Sequence, residues 1–572
     1  MTSSLYRVLL RWRRAPMAAA VDLVLLGSVV GLVFAILSLG GEWTHKLRPS
    51  VDIQLSPWAL PKYAFFSLSR GIIAYCFSLL FTLVYGYWAA KDALAEKILV
   101  PLLDILQSVP VLGFMPGLVL ALVMLFPSSN MGLELAAVLM IFTGQAWNMT
   151  FSFYQSLKAL PPDLVEVATV YRFDWKRRFL RLELPYSSMS LIWNSMMSMA
   201  GGWFFLMISE SFVLGDKDYR LPGLGSYMAA ATAKGDVRAM AFAAAAMSLM
   251  IVALDQLLWR PVVVWAQKFR AEDSGARETP TSWFLSLLRR SGLLPLVFRF
   301  LRRLIPKDPV SRPDASSSSA CEGKAAWVSR LLFLLLIALL GAGVWRICAI
   351  LRMVPALHWR AILGSAGWTL GRVLLSTMLG TLWALPAGLA IGLSPRLSRV
   401  FQPVVQVVAS FPAPMLFPAV IAALRALGVG LGWGSVLLML LGTQWYILFN
   451  VIAGAMAIPA DLLEAAKAYR LTRWERLRGV YGPAVFTYLV TGWVTAAGGA
   501  WNASIVAEYV TFKGEVMAAH GLGAQISLAA EKADFPTLAA SVVTMSALVV
   551  LFNRAVWRRL YALAERRFSL NR

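Results

Sequence analysis

Twelve charge-poor stretches, each long enough to cross a bilayer as a helix of about 20 residues, divide this chain of 572 residues. They fall near 18–40, 63–89, 102–127, 131–157, 187–213 and 238–264, then 328–351, 365–393, 401–427, 433–456, 485–510 and 536–556. Hydrophobic residues make up 59% and the mean hydropathy is +0.67, against roughly 45–50% apolar content in soluble domains. A chain of this kind must satisfy its backbone inside lipid, so the expected fold class is an all-α integral membrane protein. The net charge of +23 does not point to nucleic acid, because the basic residues gather in short loops between spans, where they orient a membrane protein. Arg7, Arg11, Arg13 and Arg14 ahead of the first span place the amino terminus in the cytoplasm. The first apolar run is long and lacks a clear cleavage site, so it reads as a signal anchor.

The second constraint is duplication. Pro161–Pro185, PPDLVEVATVYRFDWKRRFLRLELP, returns as Pro459–Pro483, PADLLEAAKAYRLTRWERLRGVYGP. Asp163, Glu166, Ala168, Tyr171 and Arg172 correspond to Asp461, Glu464, Ala466, Tyr469 and Arg470 at an offset of 298 (464 − 166). The same frame carries Trp203 to Trp501, Glu210 to Glu508, and Gly223-Leu224-Gly225 to Gly521-Leu522-Gly523. Upstream, an offset of 302 (412 − 110) relates Pro110, Pro116 and Arg70 to Pro412, Pro418 and Arg372. The chain is therefore expected to hold two parallel six-helix repeats, about twelve transmembrane helices in all. Their boundaries are expected at 1–266 and 326–572, joined by a cytoplasmic connector, 267–325. The connector begins with the basic amphipathic TSWFLSLLRRSGLLPLVFRFLRRLIPK and ends with SRPDASSSSACEGK. The first part is expected to lie on inner-leaflet lipid, the second to act as a flexible tether.

Each repeated loop is polar and basic between two apolar spans. Asp163 and Glu166, like Asp461 and Glu464, have capping-box spacing, which predicts a short helix with the aspartate as N-cap. Ala168 and Ala466 lie between larger apolar residues, a small notch suited to insertion into a groove on a soluble partner. Capping alone is the plainer reading of the glutamates, and it leaves the alanine and the trailing basic residues unexplained.

These loops resemble the EAA motif of bacterial ABC importer permeases, through Glu166-Val167-Ala168 and Glu464-Ala465-Ala466, ending at Leu184-Pro185 and Gly482-Pro483. The whole chain resembles two fused permease domains of the nitrate/sulfonate/taurine type, supported by Ala200–Glu210 and Gly498–Glu508. The connector lies outside the resemblance. It departs from the family at one position in each copy, where Arg172 and Arg470 stand in place of a glycine. The resemblance implies a transport subunit that is not itself an enzyme, set in the bacterial inner membrane with both termini cytoplasmic. It also implies two ATP-binding cassette ATPase subunits docked on the loops, and a periplasmic or lipid-anchored substrate-binding protein. ATP and Mg would be bound by the ATPases, since this chain has no GxxxxGK[ST] loop to cradle phosphates.

For a translocation path toward a small, anionic solute, the sequence offers Ser108, Trp203, Glu210, Ser410, Trp501 and Glu508. A carboxylate in a span is costly, so it faces the bundle interior or water. The tryptophans sit two helical turns before the glutamates, where a packing role is the alternative. Ser108 and Ser410 precede prolines that kink or break spans three and nine. Arg70 and Arg372 read most simply as side chains reaching the interface. The three cysteines and three histidines show no metal-ligand spacing. The competing readings are a twelve-span secondary transporter and a non-transport membrane scaffold; the first should carry coupling carboxylates deep in its spans, the second a nucleophile or paired carboxylates.

Overall fold

The computed structural model of the chain describes residues 51–214, 217–269, 282–289 and 318–568, with scattered positions between 22 and 45. The amino-terminal arginines, much of the first expected span and most of the connector lie outside the described residues. The first repeat comprises α1 (Leu60–Lys91), a broken pair α2 (Ala93–Ser108) and α3 (Met115–Leu125), α4 (Met131–Lys158), the loop helix α5 (Pro162–Val170), α6 (Leu184–Ser209), α7 (Leu224–Lys234) and α8 (Val237–Leu254). The second comprises α9 (Ser318–Leu351), α10 (Ala356–Leu393), the broken pair α11 (Pro395–Ser410) and α12 (Phe417–Ala426), α13 (Leu431–Met456), α14 (Ala460–Ala468), α15 (Gly482–Ala507), α16 (Leu522–Glu531) and α17 (Phe535–Phe552).

Among the described residues, six continuous helical segments are long and apolar enough to cross a membrane, and the two broken pairs bring the number to eight. Two further helices, α4 and α15, of 28 and 26 residues, pack against them. Equivalent helices pack in the same way in each repeat: α1 on α4 on α6, and α10 on α13 on α15. The repeat reaches down to local irregularities. A π turn opens both α6 and α15, at Phe179–Glu183 and Leu477–Tyr481, and another ends α8 and α17, at Asp255–Trp259 and Asn553–Trp557.

The prolines break their helices outright. Pro110 and Pro412 follow α2 and α11, a 3₁₀ turn comes next, and the chain bends by 85° and 81°. Such a break frees backbone donors that a membrane cannot solvate. One of them, the Val111 N–H, donates to Asn502 Oδ1 on α15 at 2.7 Å, so the gap in one repeat is closed by the other. Two antiparallel hairpins, Ser211–Leu214 with Lys217–Arg220 and Tyr509–Phe512 with Glu515–Ala518, were not expected. The fifth span accordingly ends at Ser209 rather than near 213.

Buried ion pairs fix the helices of each repeat. Arg70 on α1 is fully enclosed and forks onto Glu134 of α4, with both contacts at 2.6 Å, and reaches Glu210 at the end of α6 at 2.8 Å. Ser67 donates to Glu210 at 2.7 Å and accepts the Leu224 N–H. The Gly225 N–H donates to the other Glu210 oxygen at 2.7 Å. In the second repeat Arg372 holds Glu508 at 2.8 Å, Thr369 takes the place of Ser67, and the Gly523 N–H that of Gly225. The position of Glu134 is Gly432, whose carbonyl accepts from Arg372 Nε at 3.1 Å. Gly223 and Gly521 are required here, because a Cβ on either would stand 2.3 Å or 2.1 Å from the carboxylate. Arg70 and Arg372 are therefore structural keystones, not interfacial side chains.

After each loop helix the chain is capped a second time. Asp174 accepts from the Arg177 N–H, and Thr472 forms a full capping box with Glu475. The Thr472 backbone and hydroxyl hold the exposed Glu475 carboxyl below its ordinary pKa. Because the folded value is the lower one, the cap is complete at neutral pH and is lost as pH falls through that depressed value. Amide protection at Thr472, corrected for the intrinsic exchange rate at each pH, should fall on acidification in the native chain and stay level in Glu475→Gln. In the ion clusters, Glu508→Gln should lower stability by about 3–5 kcal/mol, the cost of leaving a buried charge without its partner. Glu210→Gln should cost less, since Glu134 still neutralises Arg70; thermal unfolding of both variants in one detergent checks the order.

Candidate coupling loops and central cavity

The loop helices α5 and α14 begin at Pro162 and Ala460, behind Pro161 and Pro459 as N-caps, with no side-chain cap. Asp163 and Asp461 therefore lie in the first turn and are not N-caps, contrary to the spacing argument: the preceding prolines start the helix early. Their charge still suits the positive end of the helix dipole. Glu166, Glu464, Tyr171 and Tyr469 are exposed, the tyrosines at 71% and 81%. Ala168 and Ala466 are each only 3% exposed. The small residue thus faces the body of the protein and lets the loop helix lie close to it; it does not open toward a partner.

Both helices end in a Schellman motif. Arg172 N–H donates to Thr169 O and Phe173 N–H to Ala168 O; Arg470 N–H donates to Lys467 O and Leu471 N–H to Ala466 O. The motif demands a left-handed residue, and Arg172 and Arg470 supply it at φ 48° and 50°. The turn that glycine normally makes is intact, built twice at the cost of placing an arginine where a Cβ is disfavoured.

Between the repeats lies a cavity of about 310 Å³, lined from α2, α4 and α6 of one repeat and α11, α13, α15 and the π turn after α17 of the other. Both helix breaks contribute. Ser410 lines it, its hydroxyl donating back to Gln406 O. The Ser108 side chain lies outside the described residues. Trp501 lines the cavity; Trp203 does not, being packed on Gly71 beside a separate small void. Glu210 and Glu508 are absent from the described wall. Each is fully enclosed by its arginine, a hydroxyl and a backbone N–H, so the expectation that they face a path is replaced by the ion-pair role.

Several lining residues were missed from sequence: Asp104, Gln107, Trp147, Asn148, Ser198 and Asn502. A lone aspartate in a span was the available signal. Among the described residues, no lysine, arginine or histidine lines the cavity, and no group of three or more His, Cys, Asp or Glu side chains could hold a metal.

The chain matches the family described as binding-protein-dependent transport system inner membrane component twice, over residues 82–258 and 376–570. It is 27% identical over 143 residues to a nitrate import permease protein of Leptolyngbya laminosa, covering 25% of this chain and 50% of the relative. A taurine transport system permease protein of Escherichia coli is 24% identical over 196 residues, 34% of this chain and 67% of the relative. A riboflavin transport system permease protein of Chloroflexus aurantiacus is 31% identical over 156 residues, 27% and 54%. The chain thus spans about half to two thirds of the length of these relatives. A solved methionine ABC transporter chain is similar at 19% identity and a TM-score of 0.31, covering 37% of this chain and 99% of that one. The paired match covers most of the chain and gives the twelve-helix, two-repeat architecture its family: this protein belongs to the binding-protein-dependent transport system inner membrane components, as two such domains in one polypeptide.

Proposed function

We propose that the chain is the complete transmembrane pair of an ATP-driven importer, with 1–266 and 326–572 as its two permease units and 267–325 as their cytoplasmic connector. Two ATPase subunits dock on α5 and α14, and a periplasmic or lipid-anchored binding protein delivers a small solute from the other side. Both termini are then cytoplasmic. The observation that carries this reading is the loop helix built twice, with the same buried alanine, the same left-handed arginine and the same exposed glutamate and tyrosine. Asp163, Glu166, Tyr171 and Arg172, with Asp461, Glu464, Tyr469 and Arg470, form the coupling surface, while Ala168 and Ala466 seat it against the membrane helices. Closure of the ATPase pair pulls on the loop helices and rocks one repeat against the other about the cavity. ATP and Mg stay on the partner subunits.

An anionic solute is favoured by the nitrate and taurine systems among the relatives. The cavity favours a second reading, an organic solute without net negative charge, because no cationic side chain lines its described wall.

Reversing charge at both Glu166 and Glu464 to Lys should weaken ATPase attachment at least tenfold, about 1.4 kcal/mol, with membrane insertion unchanged; co-purification with the ATPase checks it, and full retention would leave the glutamates with no part in docking. Replacing Arg172 and Arg470 by Gly should relieve about 1 kcal/mol of backbone strain at each turn. Slower amide exchange at Phe173 and Leu471 together with weaker ATPase attachment is the expected pair of outcomes.

A further inference from the structure

We infer that the central cavity binds a flat-ring organic solute with no net negative charge, held by ring stacking. The inference rests on the permease reading for its biological sense, but the binding itself is a property of this chain alone.

Size is the first ground. A cavity of about 310 Å³ holds about ten times the ~30 Å³ share of one water and falls at the lower end of small-molecule sites. It is much larger than an oxyanion of three or four heavy atoms needs. The wall is the second ground. Trp147, Trp193, Phe205, Trp445, Tyr446 and Trp501 line it, and several of these rings are braced edge-to-face from behind. Trp147 stands 5.9 Å from Phe81, and Trp445 6.0 Å from Trp383. Braced aromatic faces suit a flat ring.

Charge is the third ground. An anion moved out of water needs a countercharge or a dense set of donors. The charged side chain that the described wall offers is Asp104, which has the wrong sign.

The test is equilibrium dialysis of the full-length chain in lipid nanodiscs, without ATPase subunits, against lumichrome and uracil, with nitrate as competitor and empty nanodiscs as the partition control. Saturable binding of at least one ring probe, one molecule per chain and indifferent to nitrate, is expected. Trp445→Leu removes one of the braced rings and should weaken binding about threefold to tenfold. Trp193→Leu, at an exposed ring of the same wall, should act in the same direction and serves if the first variant does not fold. The inference is overturned if neither ring probe binds above the control, if nitrate displaces them, or if both variants bind as the native chain does. Failure here leaves ATPase docking untouched, and loss of docking in the loop variants leaves this binding untouched, so the two readings fail separately.

Discussion

A guanidinium cannot be left alone inside a membrane protein, and much of the architecture of both repeats follows from that fact. Arg70 and Arg372 are each drawn to a glutamate at the end of α6 or α15, which ties α1 or α10 to the helix that follows the loop. The same carboxylate is closed off by a hydroxyl one turn before the arginine and by the first amides of α7 or α16. Three chain segments therefore meet at one charge. Glycine at 223 and 521 is the steric price of that meeting, and it explains why Gly-Leu-Gly is among the residues shared by the two copies. Buried pairs of this kind contribute little net stability but penalise any arrangement that separates them. They act as registry pins between helices whose apolar surfaces alone would slide.

The loop helices show the same economy at one edge of the helix bundle. A buried alanine sets how closely the helix approaches, a Schellman turn sets where it stops, and a second cap restarts the chain toward the next span through a π turn. Nothing in this sequence of devices requires arginine at the left-handed position. Its presence in both copies therefore asks for a reason outside the fold, and the docking role proposed for these loops is one.

Much of this was legible in the sequence, and the failures have physical causes. Span positions, the two repeats and the loop helices follow from hydropathy and from matched offsets, because apolar length and repetition are properties of the chain itself. The cap at Asp163 was misplaced because the proline ahead of it nucleates the helix two residues earlier. The small Ala168 was assigned to a partner because sequence shows that a notch exists without showing which way it points. Arg70 and Glu210 were read separately, one at the interface and one in a path, because their partnership spans 140 residues of sequence and no local pattern announces it. Glu134 escaped notice for a related reason: its counterpart is Gly432, so the repeat that exposed so much else concealed it. The hairpins after α6 and α15 were hidden inside apolar runs that looked like the ends of spans.

Two separate identical subunits would have to present the same residue on both sides of a shared chamber. A tandem chain is free of that rule. Here Asp104 stands across the pseudo-twofold from Gln406, and Asn148 from Tyr446, so the two walls differ in charge and in hydrogen-bonding capacity. A symmetric chamber offers any cargo two interchangeable poses, whereas a lopsided one can hold it head first. Covalent fusion thus gives the chamber a handedness along the axis joining its halves, and a guest with dissimilar ends has one preferred way to sit.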